Sequence, residues 1–200
     1  MIKAIQTRYK GYHFRSRLEA RWAVFFDALG LEWEYEPEGF DLGEAGWYLP
    51  DFKVYSTTGC VGWYEIKPKH INIDEKERKF RQIISKKEKE TSRLLNGDPV
   101  DFLTQYIWSL CPGCGLIGTS AVVGSGDNEK FISCDFCSDI SSPSSTFTSK
   151  TGMFNGWWPV DVFKGMIAID EPFFIDVKDF VLRCADKARS ARFEHGETPR

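Results

Sequence analysis

An aspartate, a glutamate and a lysine are spaced in this chain so that one cation could sit among them. Residues 48–68 read YLPDFKVYSTTGCVGWYEIKP. Tyr48, Phe52, Val54 and Tyr55 suit one short strand, Val61, Trp63, Tyr64 and Ile66 suit a second, and Thr57-Thr58-Gly59 is turn-like. Side chains alternate along a strand, so Glu65 and Lys67 share a face and Ile66 points the other way. Pro50 marks a strand start, which puts Asp51 at its mouth. Paired as a hairpin, the strands bring Asp51 to the face of Glu65 and Lys67. Two carboxylates on one face repel unless positive charge lies between them. Mg²⁺ takes one or two carboxylates and fills its shell with water and phosphate oxygens. A neighbouring ammonium can orient an attacking water or offset charge on the phosphate. The same triplet on a solvated strand pair is ordinary surface charge, and short motifs match by chance.

The elements that must position these residues follow from periodicity. Residues 14–29 read as an amphipathic helix with Phe14, Leu18, Trp22, Phe25, Phe26 and Leu29 inward, stopped at Gly30. Glu19 flanks this stripe, with Trp22, Ala23 and Phe26 at i+3, i+4 and i+7. A carboxylate leaning inward wants a partner. That partner is either Arg15, one turn earlier, or the cation of Asp51 and Glu65. Residues 31–36 alternate as a strand, and residues 37–46 form an acidic, Gly-containing loop. The periodicity predicts a second helix over residues 74–95, with Phe80, Ile83, Ile84, Thr91, Leu94 and Leu95 inward and Gly97 as its cap. Gln82 on that helix faces either solvent or the site. Residues 100–107 read as a further strand. This order gives an α/β chain, α/β/α layers around a central mixed sheet.

Cysteine spacing supplies the second signal. Cys111, Cys114, Cys134 and Cys137 form two C-x₂-C pairs separated by 19 residues. That spacing fits a four-thiolate zinc site, closed and therefore structural. The intervening GLIGTSAVVGSGDNEKFIS suits a ribbon hairpin with Lys130 as its one cation, so fold support is the expected role. Cys60 and Cys184 remain as thiols outside the tetrad. Residues 138–152 are Ser/Thr-rich and loop-like; residues 153–175 carry Phe154, Trp157, Trp158, Phe163, Phe173 and Phe174 as core or docking surface. Residues 176–193 suit a closing helix, and EHGETPR should fray. The domains expected are a core over 1–107, a zinc-ribbon insert over 108–140, and a segment over 141–200 that packs back on the core.

Composition narrows the partners. The chain is 42% hydrophobic and 15% aromatic, enough for a sizeable core, and its net charge of −3 does not by itself invite nucleic acid. The charge is segregated, however. Residues 1–21 hold six cations against Glu19 alone, and residues 27–51 hold eight carboxylates and no Lys or Arg. A basic patch beside an acidic pocket suits a phosphate backbone gripped around a metal. No apolar run approaches the roughly 20 residues a bilayer span needs. The opening MIKAIQTRYK lacks the apolar core of a signal peptide.

Glu19 on a first helix, Leu49-Pro50-Asp51-Phe52 and Glu65-Ile66-Lys67 together resemble the PD-(D/E)XK nuclease superfamily. The wording is most similar to small nucleases of phages and prophages, over YKGYHFRSRLEARWAVFFDALGLEWEYEPEGFDL, YLPDFKV and WYEIKP, with ARSARFEHGE near the C-terminus also familiar. The resemblance implies a restriction-endonuclease-like core and hydrolysis of DNA phosphodiester bonds with Mg²⁺ or Mn²⁺. It implies Asp51, Glu65 and the backbone carbonyl of Ile66 as metal ligands. Glu19 would complete or support that shell, and Lys67 would be the catalytic lysine. Arg15 and Arg17 are candidate contacts to the DNA backbone. It further implies action in the cytoplasm of a bacterial or archaeal host, often as a homodimer. The rival expectation is a nuclease fold kept as a scaffold, a phage accessory or anti-defence factor that binds a host protein or nucleic acid without cutting. A zinc-ribbon DNA-binding regulator is a weaker rival, since residues 107–140 hold almost no cations.

Overall fold

The computed structural model describes residues 4–56, 59–105, 109–110, 116–118, 121–126, 129–133, 140–141, 146–149, 152–155 and 171–193, with side chains over 4–56, 59–102, 116 and 181–193. β1 (Thr7–Tyr9) and β2 (Tyr12–Phe14) pair antiparallel across Lys10-Gly11. Both turn residues have positive φ, 48° and 84°. That is the tight-turn geometry whose twist matches the flanking strands. Phe14 therefore closes a hairpin, and the helix expected from residue 14 starts later. α1 spans Arg17–Leu29. Ser16 caps it by accepting from the Glu19 N–H, and Gly30, at φ 75°, ends it by donating to the Asp27 and Phe26 carbonyls.

β3 (Glu32–Tyr35) falls where alternation placed it. The acidic loop holds more order than expected. β4 (Phe40–Asp41) pairs with β5 (Trp47–Tyr48) around a single 3-10 turn at Gly43–Ala45. Tyr48 thus belongs to this small pair and not to the strand of Phe52. β6 (Phe52–Tyr55) and β7 (Val61–Lys67) form the expected antiparallel pair.

Beyond β7 the sequence reading needs two corrections. α2 spans only Glu75–Ile84, and Glu90–Asn96 is a strand, β8, parallel to β7 from Val61↔Glu90 to Lys67↔Asn96. Leu94 and Leu95 suit a helical stripe, but a full ladder with β7 outweighs that local preference. The break is local as well: Lys89 sits at φ 59°, outside helical geometry. Residues 100–107, read as a strand, instead hold α3 (Pro99–Gln105). Its start is encoded by Asp98-Pro99. Asp98 accepts from the Asp101 N–H at 2.9 Å, and Pro99 occupies a first-turn position where no N–H is needed.

The central sheet has the order β3-β6-β7-β8, antiparallel except for the last pair. α2 makes the crossover that a parallel pair requires. Alternate residues of β7 face opposite sides. Tyr64 packs with Phe26 of α1, Phe14, Phe52 and Leu95, whereas Trp63 packs with Tyr48, Phe80 and Ile84 on the α2 side. The α/β reading with a central mixed sheet stands. α4 (Glu171–Ser190) packs on α1 through Val181, Cys184, Ala185 and Ala188. It is tied to α3 by Arg189, which donates to Asp98 at 2.7 and 3.0 Å and to Asp101 at 2.9 Å. Burial pushes the Cys184 thiol up to about 11.

Between α3 and α4 lie short strands. β9 (Ser109–Leu110) pairs with β10 (Ile117–Gly118). β11 (Ala121–Gly126) and β12 (Glu129–Ser133) form the hairpin expected of the ribbon, extended by β13 (Ile140–Ser141). The Ser/Thr-rich stretch is not simply a loop, because β14 (Thr146–Ser149) pairs with β15 (Gly152–Asn155). Cys111, Cys114, Cys134 and Cys137, residues 156–170 and the final EHGETPR lie outside the described residues. Among the described residues, no helix is long and apolar enough to cross a membrane.

Gly62 shows how tight the core is. A Cβ there would stand 2.7 Å from Cε2 of Tyr64, whose ring is 1% exposed and held against Phe26. Gly62→Ala should destabilise the fold by about 1–3 kcal/mol, read as a lower midpoint in urea with an unchanged slope.

Candidate functional site

The site is built where β6 begins and β7 ends. Phe52 lies opposite Tyr64 and Lys53 opposite Trp63. One step further along this register brings Asp51 to Glu65. Asp51 is 2% exposed and Glu65 7%. The Ile66 N–H donates to Asp51 Oδ2 at 2.7 Å and fixes that carboxylate from behind. The Arg15 guanidinium donates to Asp51 Oδ1 and also meets Glu36 Oε1 at 2.7 Å. Glu65 accepts from Lys67 Nζ on Oε1 and from the Tyr48 hydroxyl on Oε2, the latter at 2.9 Å. The structure thus brings Asp51, Glu65 and Lys67 together, as their spacing predicted. Gln82 lies exposed on α2, the solvent-facing alternative.

Glu19 is buried as expected, and its hydrogen bonds come from the start of α1 and from β3. Its Oε1 accepts from the Ser16 hydroxyl at 2.6 Å, and its Oε2 accepts from the Tyr35 hydroxyl and from the Arg15 backbone N–H at 3.1 Å. Ser16-Arg17-Leu18-Glu19 is a capping box, a signal present in the sequence and overlooked. The expected Arg15–Glu19 side-chain pair does not form, because the Arg15 guanidinium reaches across to Asp51 and Glu36. Glu19 still borders the site, since its charge acts on Asp51. Arg15, a candidate DNA contact, keeps its side chain 56% exposed while holding these carboxylates. Arg17 lies half-buried in the first turn of α1.

Burial and the neighbouring carboxylates act together on the titrating groups of the site. Burial, reinforced by Glu65 and Glu19, pushes Asp51 up to about 8 against the pull of the Ile66 N–H and Arg15. Burial also pushes the Tyr48 hydroxyl up, and Glu65, Glu77 and Asp51 add to the shift. Burial works to lower Lys67, but its hydrogen bond to Glu65 and the charges of Glu65, Asp51 and Asp74 outweigh it, so Lys67 moves upward and stays charged.

Glu77, on α2, is a carboxylate the sequence reading passed over. It is 2% exposed, and its Oε1 accepts from Arg81 at 3.0 Å. Burial raises its pKa; Arg81 opposes the rise and Glu65 adds to it. The stripe that marked Glu19 as inward also marks Glu77, which precedes Phe80 by three residues and Ile84 by seven. A run of charged neighbours hid it.

Among the described residues, no group of three His, Cys, Asp or Glu side chains stands ready to hold a metal ion. Arg15 and Lys67 instead occupy the carboxylates. The donor set still fits a hard divalent cation, because Asp51 and Glu65 are oxygen ligands. Asp51 remains shifted upward even with Arg15 beside it, because burial and the charges of Glu65 and Glu19 outweigh Arg15 and the Ile66 N–H. Ile66 contributes its N–H here; its carbonyl is the atom the resemblance assigns to the cation.

Compared with models of known protein families, with curated proteins and with solved structures, the chain matches none.

The Asp51 shift makes stability depend on pH. The native state binds this proton with a pKa of about 8, against 3.8 for an ordinary aspartate, so it holds more protons than the unfolded chain between those values. Stability from this group therefore falls as pH rises through that window. Asp51→Asn, melted in EDTA from pH 5 to 9, should gain most in Tm over wild type at the alkaline end and least at the acid end. A constant difference across the range would show that Asp51 is not the titrating group.

Proposed function

We propose that the chain is a Mg²⁺- or Mn²⁺-dependent DNA endonuclease of the PD-(D/E)XK kind, hydrolysing phosphodiester bonds at the mouth of β6 and β7. One observation carries the reading. Two buried carboxylates from adjacent strands meet one lysine, and the charges of Glu65 and Glu19 add to the burial that holds Asp51 above the ordinary aspartate value. Asp51 and Glu65 are the residues that would hold the cation, and Glu19 supports them from the cap of α1. When bound, the cation would polarise a phosphoryl oxygen and make water nucleophilic at neutral pH.

The chain's own groups do the positioning. The Ile66 N–H fixes the Asp51 rotamer, and the Tyr48 hydroxyl fixes Glu65. The Lys67 ammonium, held charged beside Glu65, orients the attacking water and offsets charge growing on the phosphate. Arg15 is exposed enough to turn from Asp51 to a phosphate of the DNA backbone, and Arg17, the first residue of α1, is the second candidate contact. The four cysteines beyond α3 are proposed to bind structural zinc, and the workplace is the cytoplasm of a bacterial or archaeal host.

A second reading has its own observation. Arg15 and Lys67 already neutralise Asp51 and Glu65 in part, as in a nuclease fold kept to grip a protein or nucleic acid without cutting. One assay separates the two. Supercoiled plasmid and branched DNA are incubated with wild type and Lys67→Ala in Mg²⁺, Mn²⁺ or EDTA. The nuclease should cut only with metal, and Lys67→Ala should be about 10²–10³-fold slower with unchanged circular dichroism. DNA bound but uncut in every metal would favour the scaffold reading.

A further inference from the structure

Among the described residues the large apolar side chains left exposed are Ile5, Trp47, Leu49 and Ile71, and all but Ile5 frame the mouth of the cleft. Trp47 and Leu49 flank Tyr48, whose hydroxyl donates to Glu65 at 2.9 Å, and they lead directly into Asp51. Ile71 follows Lys67 in the loop before α2, and its carbonyl accepts from Asn96, the strand partner of Lys67, at 2.8 Å. Exposed apolar side chains scattered singly are ordinary, but gathered at a cleft they mark a binding surface.

Trp47 is the most exposed of them, at 69%, yet its place is fixed. Side chains alternate along β5, so Tyr48 points inward and Trp47 outward. The edge of the Trp47 ring rests on bare backbone at Gly39, where a Cβ would stand 3.2 Å from Cε3. The Trp47 carbonyl accepts from Lys76 Nζ at 3.1 Å, which sets a cation beside the ring. Lys76 lies in the first turn of α2, capped by Asp74, and the charge of Asp74 acts on Lys67. One rim thus runs from Trp47 past Lys76 to Lys67. The loop from Pro68 to Ile73 adds Lys69 and His70 and no carboxylate.

We propose that Trp47 stacks on an unpaired base of DNA bound at the cleft, so that the favoured substrate carries a single-stranded arm beside the scissile phosphate. This rests on the nuclease reading of Asp51 and Glu65 and names its substrate class. The occupant follows from the chemistry of the rim. A flat exposed ring matches the face of a base, and the flanking cations match phosphates. An apolar protein surface would use the ring but not the cations. Bases inside a duplex are already stacked on one another, so only an unpaired base offers its face to a side chain. Four residues of chain span at most about 14 Å, which keeps a base on Trp47 within a few nucleotides of Asp51.

The test reads binding and does not depend on cleavage. Labelled DNAs are titrated with the full-length chain and followed by fluorescence anisotropy, with Ca²⁺ in place of Mg²⁺ to hold cutting back. The DNAs are a blunt duplex, the same duplex with a single-stranded arm, and that duplex with an arm of abasic nucleotides. Wild type should bind the base-bearing arm about 10-fold more tightly than either control. The abasic arm keeps every phosphate, so the difference between the two arms reads the bases alone. Trp47→Ala should bring the two armed DNAs to equal affinity, and Trp47→Phe should restore part of the difference. Thermal melting checks that each variant is folded. Equal wild-type affinity for the base-bearing arm and either control, or a preference that survives in Trp47→Ala, would overturn the proposal even where plasmid is cut with metal. No binding of any of these DNAs, together with no cutting in any metal, would overturn the nuclease reading as well.

Discussion

The register of β6 against β7 is the constraint on which the cleft depends. Side chains in strands repeat every two residues, so a slip of one residue would send every side chain to the opposite face. Phe52 and Tyr64 are paired across the strands and face α1, where the rings of Phe14 and Phe26 pack on them. Lys53 and Trp63 are paired on the other face, with Lys53 Nζ 4.8 Å from the Trp63 ring centre. Neither set tolerates exchange with the other. The apolar packing on both faces therefore decides that Asp51 and Glu65 meet. The Ile66 N–H then converts that meeting into a fixed geometry for one carboxylate.

Holding so many carboxylates together costs stability, and the chain offsets the cost from outside. Asp51, Glu65 and Glu77 sit deep, while the cations that answer them come from the rim. Arg15, Lys67 and Arg81 have side chains 56%, 31% and 28% exposed. A buried anion with a half-exposed cation is a different arrangement from a buried ion pair. Burial weighs on Arg15 and Lys67, but their paired carboxylates outweigh it, and each can turn to another anion without leaving its own charge stranded in an apolar interior.

The sequence showed what depends on neighbours along the chain and missed what depends on partners far away. The alternation of Phe52 to Tyr55 and Val61 to Ile66 specified the hairpin and, with it, three site residues. The break between α2 and β8 was hidden because Leu94 and Leu95 satisfy a helical stripe as well as a strand. What decides the matter is the parallel ladder with Val61–Lys67, roughly thirty residues earlier. Other misses were local and readable. Asp98-Pro99 is a helix start, and Ser16 with Glu19 is a capping box. Glu77 was lost among charged neighbours although Phe80 and Ile84 mark its face as inward.

The contrast between Glu19 and Glu77 bears directly on which helix serves the cleft. Both are carboxylates on helices that flank the sheet, both are less than 9% exposed, and both act electrostatically on the strand carboxylates. They differ in how their oxygens are occupied. Glu19 receives donors on both oxygens, from Ser16, Tyr35 and the Arg15 backbone. To ligate an ion it must surrender bonds that also cap α1, so its coordination is coupled to the integrity of that helix. Glu77 has one oxygen bound and one open. The two helix acids therefore differ in how each is held in its buried place. The α1 acid is tied into the start of its own helix, and the α2 acid is held by Arg81 one turn along the same helix.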